Sequence, residues 1–193
     1  MYLFFDVETT GFPKKWGRPH TDTFNWPRMG QIAWMLYGEN KKLLEAEDHI
    51  IRPEGFEIPY EAERLHKIDT EKAKEEGSDL KEVLERFTKV VDKADYVIAH
   101  NMNFDANVVG AEFIRKNIET RLFHSERYCT MQESTWYCKL PGKGGRYKWP
   151  TLMELHVKLF GERFKEAHNA KVDAKITAKC FFKLLEIEAI ELF

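Results

Sequence analysis

Asp6 and Glu8 stand one residue apart, directly after the apolar run Tyr2–Phe5 and directly before Thr9-Thr10-Gly11. An apolar run closed by a turn signal reads as a buried strand. In a strand, residues i and i+2 project to the same side. Both carboxylates would then point together from a strand end, with Val7 turned into packing. Two such groups repel unless a cation sits between them, and hard oxygen ligands held close suit Mg²⁺ or Mn²⁺. Taken alone, the pair is more simply read as two solvated acids, so the rest of the chain must decide.

Two further acids sit at comparable places. Asp95–Ala99 is a short apolar strand, broken by His100-Asn101-Met102-Asn103. A helix is expected over Phe104–Lys116, which puts Asp105 in its first turn at the carboxyl edge of a sheet, where ligands collect in open α/β folds. Asp173 lies near the start of a final helix that runs to about Ile190, with Ile176, Cys180, Phe181, Leu184 and Leu185 at helical spacing. If the strands form one sheet, Asp6, Glu8, Asp105 and Asp173 converge on one edge. Two divalent cations about 4 Å apart would offset their repulsion and clamp the attacking and leaving oxygens of a phosphoryl displacement. His168 precedes Asp173 by five residues. That spacing diverges on one helix, so His168 belongs on the loop entering it. Histidine changes charge near neutral pH, which suits it to take a proton from an attacking water.

The remaining elements supply the frame. Gln31–Tyr37 and Lys42–Ile51 flank Gly38–Lys41 and read as a hairpin beside the first strand. Pro59–Ile68 reads as a short helix and a turn, and Thr70–Glu76 as another short helix. Ser78–Ala94 carries one apolar stripe (Leu80, Val83, Leu84, Phe87, Val90, Val91) with Ser78 as the expected N-cap. Arg127–Thr130 suits a short strand, Met131–Cys138 a helix, and Thr151–Phe160 an amphipathic helix. Two segments are too punctuated for regular structure. Gly11–Met29 holds three prolines, two tryptophans and four basic residues. Lys139–Pro150 is basic and Gly-rich with two aromatics, a mixture that holds single strands by phosphate contact and base stacking. Plain solvated loops would look much the same.

The chain's 193 residues suit one domain, 1–193, with a substantial core. The net charge of −2 argues against binding by charge neutralisation alone, so bound cations would have to meet part of any phosphate charge. The three cysteines show no C-x-x-C spacing, which suggests neither a disulfide framework nor zinc. Reduced thiols point to a cytoplasmic location. No apolar stretch is long enough to cross a membrane, and the apolar start reads as a strand rather than a leader.

Phe5-Asp6-Val7-Glu8-Thr9-Thr10-Gly11, His100-Asn101-Met102-Asn103-Phe104-Asp105 and His168-Asn169-Ala170-Lys171-Val172-Asp173 occur in that order across nearly the whole chain. In this the sequence resembles the DEDD superfamily of 3′–5′ exonucleases, in the DnaQ-like branch that uses a histidine. The resemblance implies an α/β, RNase H-like fold with a mixed five-stranded sheet and helices on both faces. It implies that Asp6, Glu8, Asp105 and Asp173 hold two Mg²⁺ or Mn²⁺ ions with His168 as general base. The implied reaction is hydrolysis of the terminal phosphodiester of single-stranded nucleic acid, DNA favoured, releasing nucleoside 5′-monophosphates. By the same likeness the backbone around Thr9 and Thr10 meets the last nucleotide, Leu65 and His66 line its pocket, and Phe104 stacks or wedges beside it. Lys67 stands where the family commonly has glycine, and Gly11–Met29 is longer than in compact members. An RNA-trimming exoribonuclease and a catalytically silent nucleic-acid-binding module are the alternatives; the second would lack a carboxylate or His168, and this chain has them all. A polymerase or repair partner is compatible with these motifs, and none is named by them.

Overall fold

A computed structural model describes residues 1–192. Five strands form one mixed sheet: β1 (Tyr2–Thr9), β2 (Met29–Tyr37), β3 (Leu43–Ile50), β4 (Tyr96–Ala99) and β5 (Glu126–Cys129), in the order β3-β2-β1-β4-β5. β1 is central. It runs antiparallel to β2 and parallel to β4, which itself runs parallel to β5. This is the RNase H-like arrangement expected from the motifs.

The alternation of β1 builds two cores. Leu3, Phe5 and Val7 face one layer, packed with α3 (Leu80–Lys93) and α4 (Met102–Lys116). Phe4 faces the other, against Phe181 and Leu184 of α8 (Ala170–Glu186) and Leu155 of α7 (Leu152–Phe160). Burying large apolar side chains on both faces contributes roughly 1.5–3 kcal/mol each, so β1 is anchored over its first half. The same alternation carries Asp6 and Glu8 onto the α8 face beyond the end of β4, whose pairing with β1 stops at Phe4.

Several boundaries differ from the sequence expectation. Ser78 does not cap α3: it pairs with Ile51 as an isolated bridge and its N–H donates to Ile50 O, so its backbone is held extended. Asp79 caps instead, accepting from the Glu82 N–H at 3.0 Å. α4 begins at Met102, not Phe104, because Asn101 takes the left-handed conformation (φ 89°) that turns the chain into the helix. Asparagine tolerates that region better than most residues. The helix expected over Met131–Cys138 is two short ones, α5 (Thr130–Glu133) and α6 (Thr135–Cys138), broken at Ser134. α8 stops at Glu186, short of Ile190. Two further short helices, α1 (Tyr60–His66) and α2 (Thr70–Glu76), fall where the pattern placed them.

Candidate active site

The edge of the sheet at the end of β1 gathers the acids. Carboxylate oxygens of Asp6, Glu8 and Asp173 all lie within 4.8 Å of one another, and all three residues are partly buried. Asp173 reaches this point because Asn169 caps α8, accepting from the Val172 N–H, which sets Asp173 in the first turn. Gln31 of β2 clamps the same helix start: its Oε1 accepts from the Ala170 N–H at 3.4 Å while its Nε2 donates to Asp48 at 2.7 Å. Asp105 arrives from the opposite layer. It is only 3% exposed and lies outside the three-acid cluster, yet its carboxylate contacts the backbone of Val7, between Asp6 and Glu8. All four acids therefore meet at one edge.

Their electrostatics are unfavourable as they stand. Burial, then repulsion from Asp105, Asp173 and Glu8, pushes the Asp6 carboxyl well above the usual range. Burial and the Asp173 charge push Glu8 up to about 8. Burial lifts Asp173 to about 6, against the pull of a hydrogen bond from the His168 backbone. Asp105 is raised well above normal by burial, partly offset by the Val7 backbone. Asp173 Oδ1 is buried and has no hydrogen-bond partner among the described residues. Clustered carboxylates with an unsatisfied buried oxygen fit hard divalent cations in both ligand type and number. The residues present suit such ions.

His168 sits on the loop before α8, as its spacing required. Its backbone is left-handed (φ 67°), and its N–H donates to Asp173 Oδ2 at 3.0 Å. The backbone is thus pinned to a cluster acid while the side chain is exposed, and no described residue hydrogen-bonds the imidazole. A non-glycine residue held in this conformation stores strain, which persists where surrounding structure fixes it.

Leu65, His66 and His168 line one cleft of about 700 Å³, together with Asp48, Lys67 and Asn169. Leu65 is exposed and His66 is 5% exposed. Ile68 N–H donates to His66 Nδ1 at 3.2 Å, so the neutral ring carries its proton on Nε2. That atom faces the Thr9 backbone without completing a hydrogen bond. Burial, and the nearby His168, keep His66 below its ordinary pKa. Lys67 holds the left-handed C-cap position of α1 (φ 62°), which accounts for a glycine preference at this place.

Thr9 and Thr10 are committed to structure. The Thr9 hydroxyl donates to Gly11 O at 2.7 Å; the Thr10 N–H donates to Arg28 O and its hydroxyl accepts from the Arg28 N–H. Phe104 packs with Phe12 and Trp16 at 6.3 and 5.9 Å between ring centroids, with buried Trp26 behind it at 6.4 Å. Phe12 and Trp16 remain 75% and 57% exposed, so an aromatic surface adjoins Asp105.

The exonuclease family model (RNase T type) matches residues 3–181. The chain belongs to the exonuclease family. Among solved structures, Escherichia coli exonuclease I in complex with a dT13 oligonucleotide superposes with a TM-score of 0.74 at 18% identity, covering 96% of this chain and 40% of that one. Its zinc-bound form with single-stranded DNA gives 0.72 at 19% identity over the same shares. A product-bound exonuclease I gives 0.72 at 16% identity, with 96% and 43% covered. At such identity these likenesses show the fold. The chain spans about two fifths of the length of these exonuclease I chains. None of the curated proteins compared matches it.

Sequence reasoning missed the supports of this candidate site. Glu112 is fully buried in α4, and its Oε1 accepts from Arg28 Nε at 2.8 Å and the Met29 N–H at 3.0 Å, with Arg115 at 3.0 Å. Asn25 exchanges two hydrogen bonds with the Lys15 backbone, and Arg115 donates to Thr23 O and Trp26 O. These contacts fasten Gly11–Met29 against α4. The one available signal was an acid on the otherwise apolar stripe of α4.

Proposed function

We propose that this chain is a 3′–5′ exonuclease on single-stranded nucleic acid ends, DNA favoured, releasing nucleoside 5′-monophosphates. The observation that carries the reading is the set of three carboxylates within 4.8 Å, with an unpartnered buried oxygen on Asp173, beside an exposed histidine. Asp6, Glu8, Asp105 and Asp173 would hold two Mg²⁺ or Mn²⁺ ions. Such ions, when bound, stabilise charge developing on a phosphodiester and favour ionisation of water. His168 takes the proton of the attacking water on its imidazole, and the Asp173 carboxylate fixes its backbone. The cleft of Leu65 and His66 receives the terminal sugar and base. Phe104, backed by Trp26, is the ring that would stack or wedge beside the last nucleotide. Single-stranded DNA is favoured because exonuclease I of the same fold was solved with such strands, and because exposed rings stack on unpaired bases.

The deciding experiment is digestion of a single-stranded DNA labelled at its 5′ end, with Mg²⁺ or EDTA, alongside matched duplex DNA and RNA. Stepwise shortening from the 3′ end in Mg²⁺ only, abolished by a 3′ block, is expected. Shortening that persists with a blocked 3′ end would reverse the polarity, and faster loss of RNA would transfer the reading to RNA trimming.

A further inference from the structure

The segment between α6 and α7 is a built hairpin. Pro141 and Tyr147 pair as an antiparallel bridge, Gly142 N–H donates to Arg146 O at 2.8 Å, and Lys148 N–H to Leu140 O at 3.0 Å. Gly144 and Gly145 turn its tip at φ 64° and 74°, a conformation that costs glycine little. A Cβ at Gly142 would meet Arg146 O at 2.7 Å, so the strands approach too closely for any side chain there. The backbone is thus shaped, while residues 143–149 are all exposed.

What the hairpin displays is one-sided. Lys139, Lys143, Arg146 and Lys148 carry positive charge, and residues 139–150 contain no acid, in a chain whose acids outnumber its bases by 32 to 30. Of these four cations, Lys148 alone pairs with an acid among the described residues, Glu154 of α7. Trp149 is 59% exposed, and Tyr147, 41% exposed, meets the 73% exposed Trp136 of α6 edge-on at 5.4 Å. Large exposed rings interleaved with unpaired cations have a matching ligand chemistry: a backbone of phosphates carrying unstacked bases.

The root of the hairpin is tied to the candidate active site. Pro150 is buried, and its carbonyl accepts from His100 Nε2 at 3.0 Å, while His100 Nδ1 bonds Thr130 Oγ1 at 2.9 Å. Burial holds His100 neutral, with its pKa lowered to about 4. A neutral ring has one N–H, and Pro150 O can only accept, so the proton sits on Nε2 and Thr130 donates to Nδ1. His100 directly follows β4 and opens the turn that carries Asp105. The hairpin therefore springs from the same sheet edge as the acids.

We propose that the hairpin of residues 139–150, with Trp136, is the track for the single strand lying 5′ to the terminal nucleotide. Phosphates of that strand meet Lys143 and Arg146, and its bases stack on Trp149 and on the Trp136–Tyr147 pair. This rests on the exonuclease reading for the direction of the strand, and its binding test does not depend on hydrolysis.

The test measures fluorescence anisotropy of 5′-labelled dT15 and dT3 with the full chain in EDTA, comparing the parent protein with Trp149→Ala and Arg146→Glu, both at exposed positions. The parent is expected to bind dT15 more tightly than dT3. Each variant should weaken dT15 by about tenfold, because one removes a stacking ring and the other a cation that meets a phosphate. Both should leave dT3 unchanged. The salt dependence for dT15 should fall by about 0.7 for each phosphate no longer neutralised in Arg146→Glu. Unchanged dT15 affinity in either variant overturns the proposal, as does a weakening of dT3 binding in step with dT15. Hydrolysis of dT15 and dT3 by the parent is read separately, in Mg²⁺. If the parent hydrolyses neither strand while the variants still bind dT15 more weakly, the track stands and the exonuclease reading fails.

Discussion

Two sets of buried acids lie on neighbouring stretches of the molecule and behave in opposite ways. Glu112 is fully buried, yet Arg28, Arg115 and the Met29 N–H converge on one of its oxygens. Asp6, Glu8, Asp105 and Asp173 are packed as closely with no lysine or arginine among their described partners, and each is pushed toward its protonated form. A paired buried charge holds a fold together, whereas an unpaired cluster is held in place by the fold around it. The difference separates a structural acid from one that awaits a ligand, although the residue type is the same.

The largest expected effect breaks the two sets apart by activity. Asp6→Asn removes a candidate ligand and should lower the hydrolysis rate on a single-stranded DNA by about a thousandfold or more, the rate equivalent of several kcal/mol. In EDTA the same variant should melt no lower than the parent, because a repelling charge has gone. A variant that melts well below the parent would place Asp6 with Glu112 as a structural group.

Glu112→Ala should do the reverse. Removing one partner from a buried ion network costs about 3–5 kcal/mol, read as a drop in urea unfolding free energy. The Gly11–Met29 segment should loosen with it, seen as faster proteolysis there. Unfolding at the parent midpoint would show that the Arg28–Glu112–Arg115 network contributes nothing.

Cation binding sharpens the contrast by pH. Glu8 and Asp173 are raised in the folded protein, to about 8 and about 6, above unfolded values of about 4.3 for Glu and about 3.9 for Asp. Between about pH 4.5 and 8 the folded state therefore holds protons that the unfolded state has released. Stability from these two groups is full below that window and is lost as pH rises through it. In EDTA the melting temperature should decline from pH 5 to pH 8. Saturating Mn²⁺ at 100 times its dissociation constant should add about 2.7 kcal/mol, with weaker binding at pH 5.5, where protons compete. A Mn²⁺ shift that survives intact in Asp6→Asn would place the ion elsewhere.

The smallest effect checks that this edge is not simply sensitive to any change. Lys67 lies in the cleft beside His168 in a left-handed conformation and is exposed. Lys67→Gly should stabilise by about 1 kcal/mol through relief of that conformation, measured by thermal melting. A destabilised protein would mean that the lysine stem is packed usefully there.

The two acid sets were unequally legible in the residues. Asp6, Glu8, Asp105 and Asp173 each stand where an apolar period stops or starts, and strand alternation and helix spacing are local rules, so each could be placed at an element's end from the chain, while their shared edge followed only if the strands formed one sheet. The five strands and the long helices followed from the same patterns. Glu112 sits inside such a pattern and looked like a break in the stripe of α4. Its partners, Arg28 and Met29, are more than eighty positions away, and nothing local marks them.

The chain order of apolar runs and acids placed each acid at the end of a strand or the start of a helix, because each obeys a two-residue or 3.6-residue period that any isolated segment carries. Folding alone settled which charges are answered. Arg28 reaches Glu112, Gln31 grips the start of α8, and His100 fastens the 139–150 hairpin, all across 50 residues or more. A hydrogen-bond partner so distant is chosen by how layers pack, and packing is a property of the assembled sheet and helices rather than of any stretch of sequence.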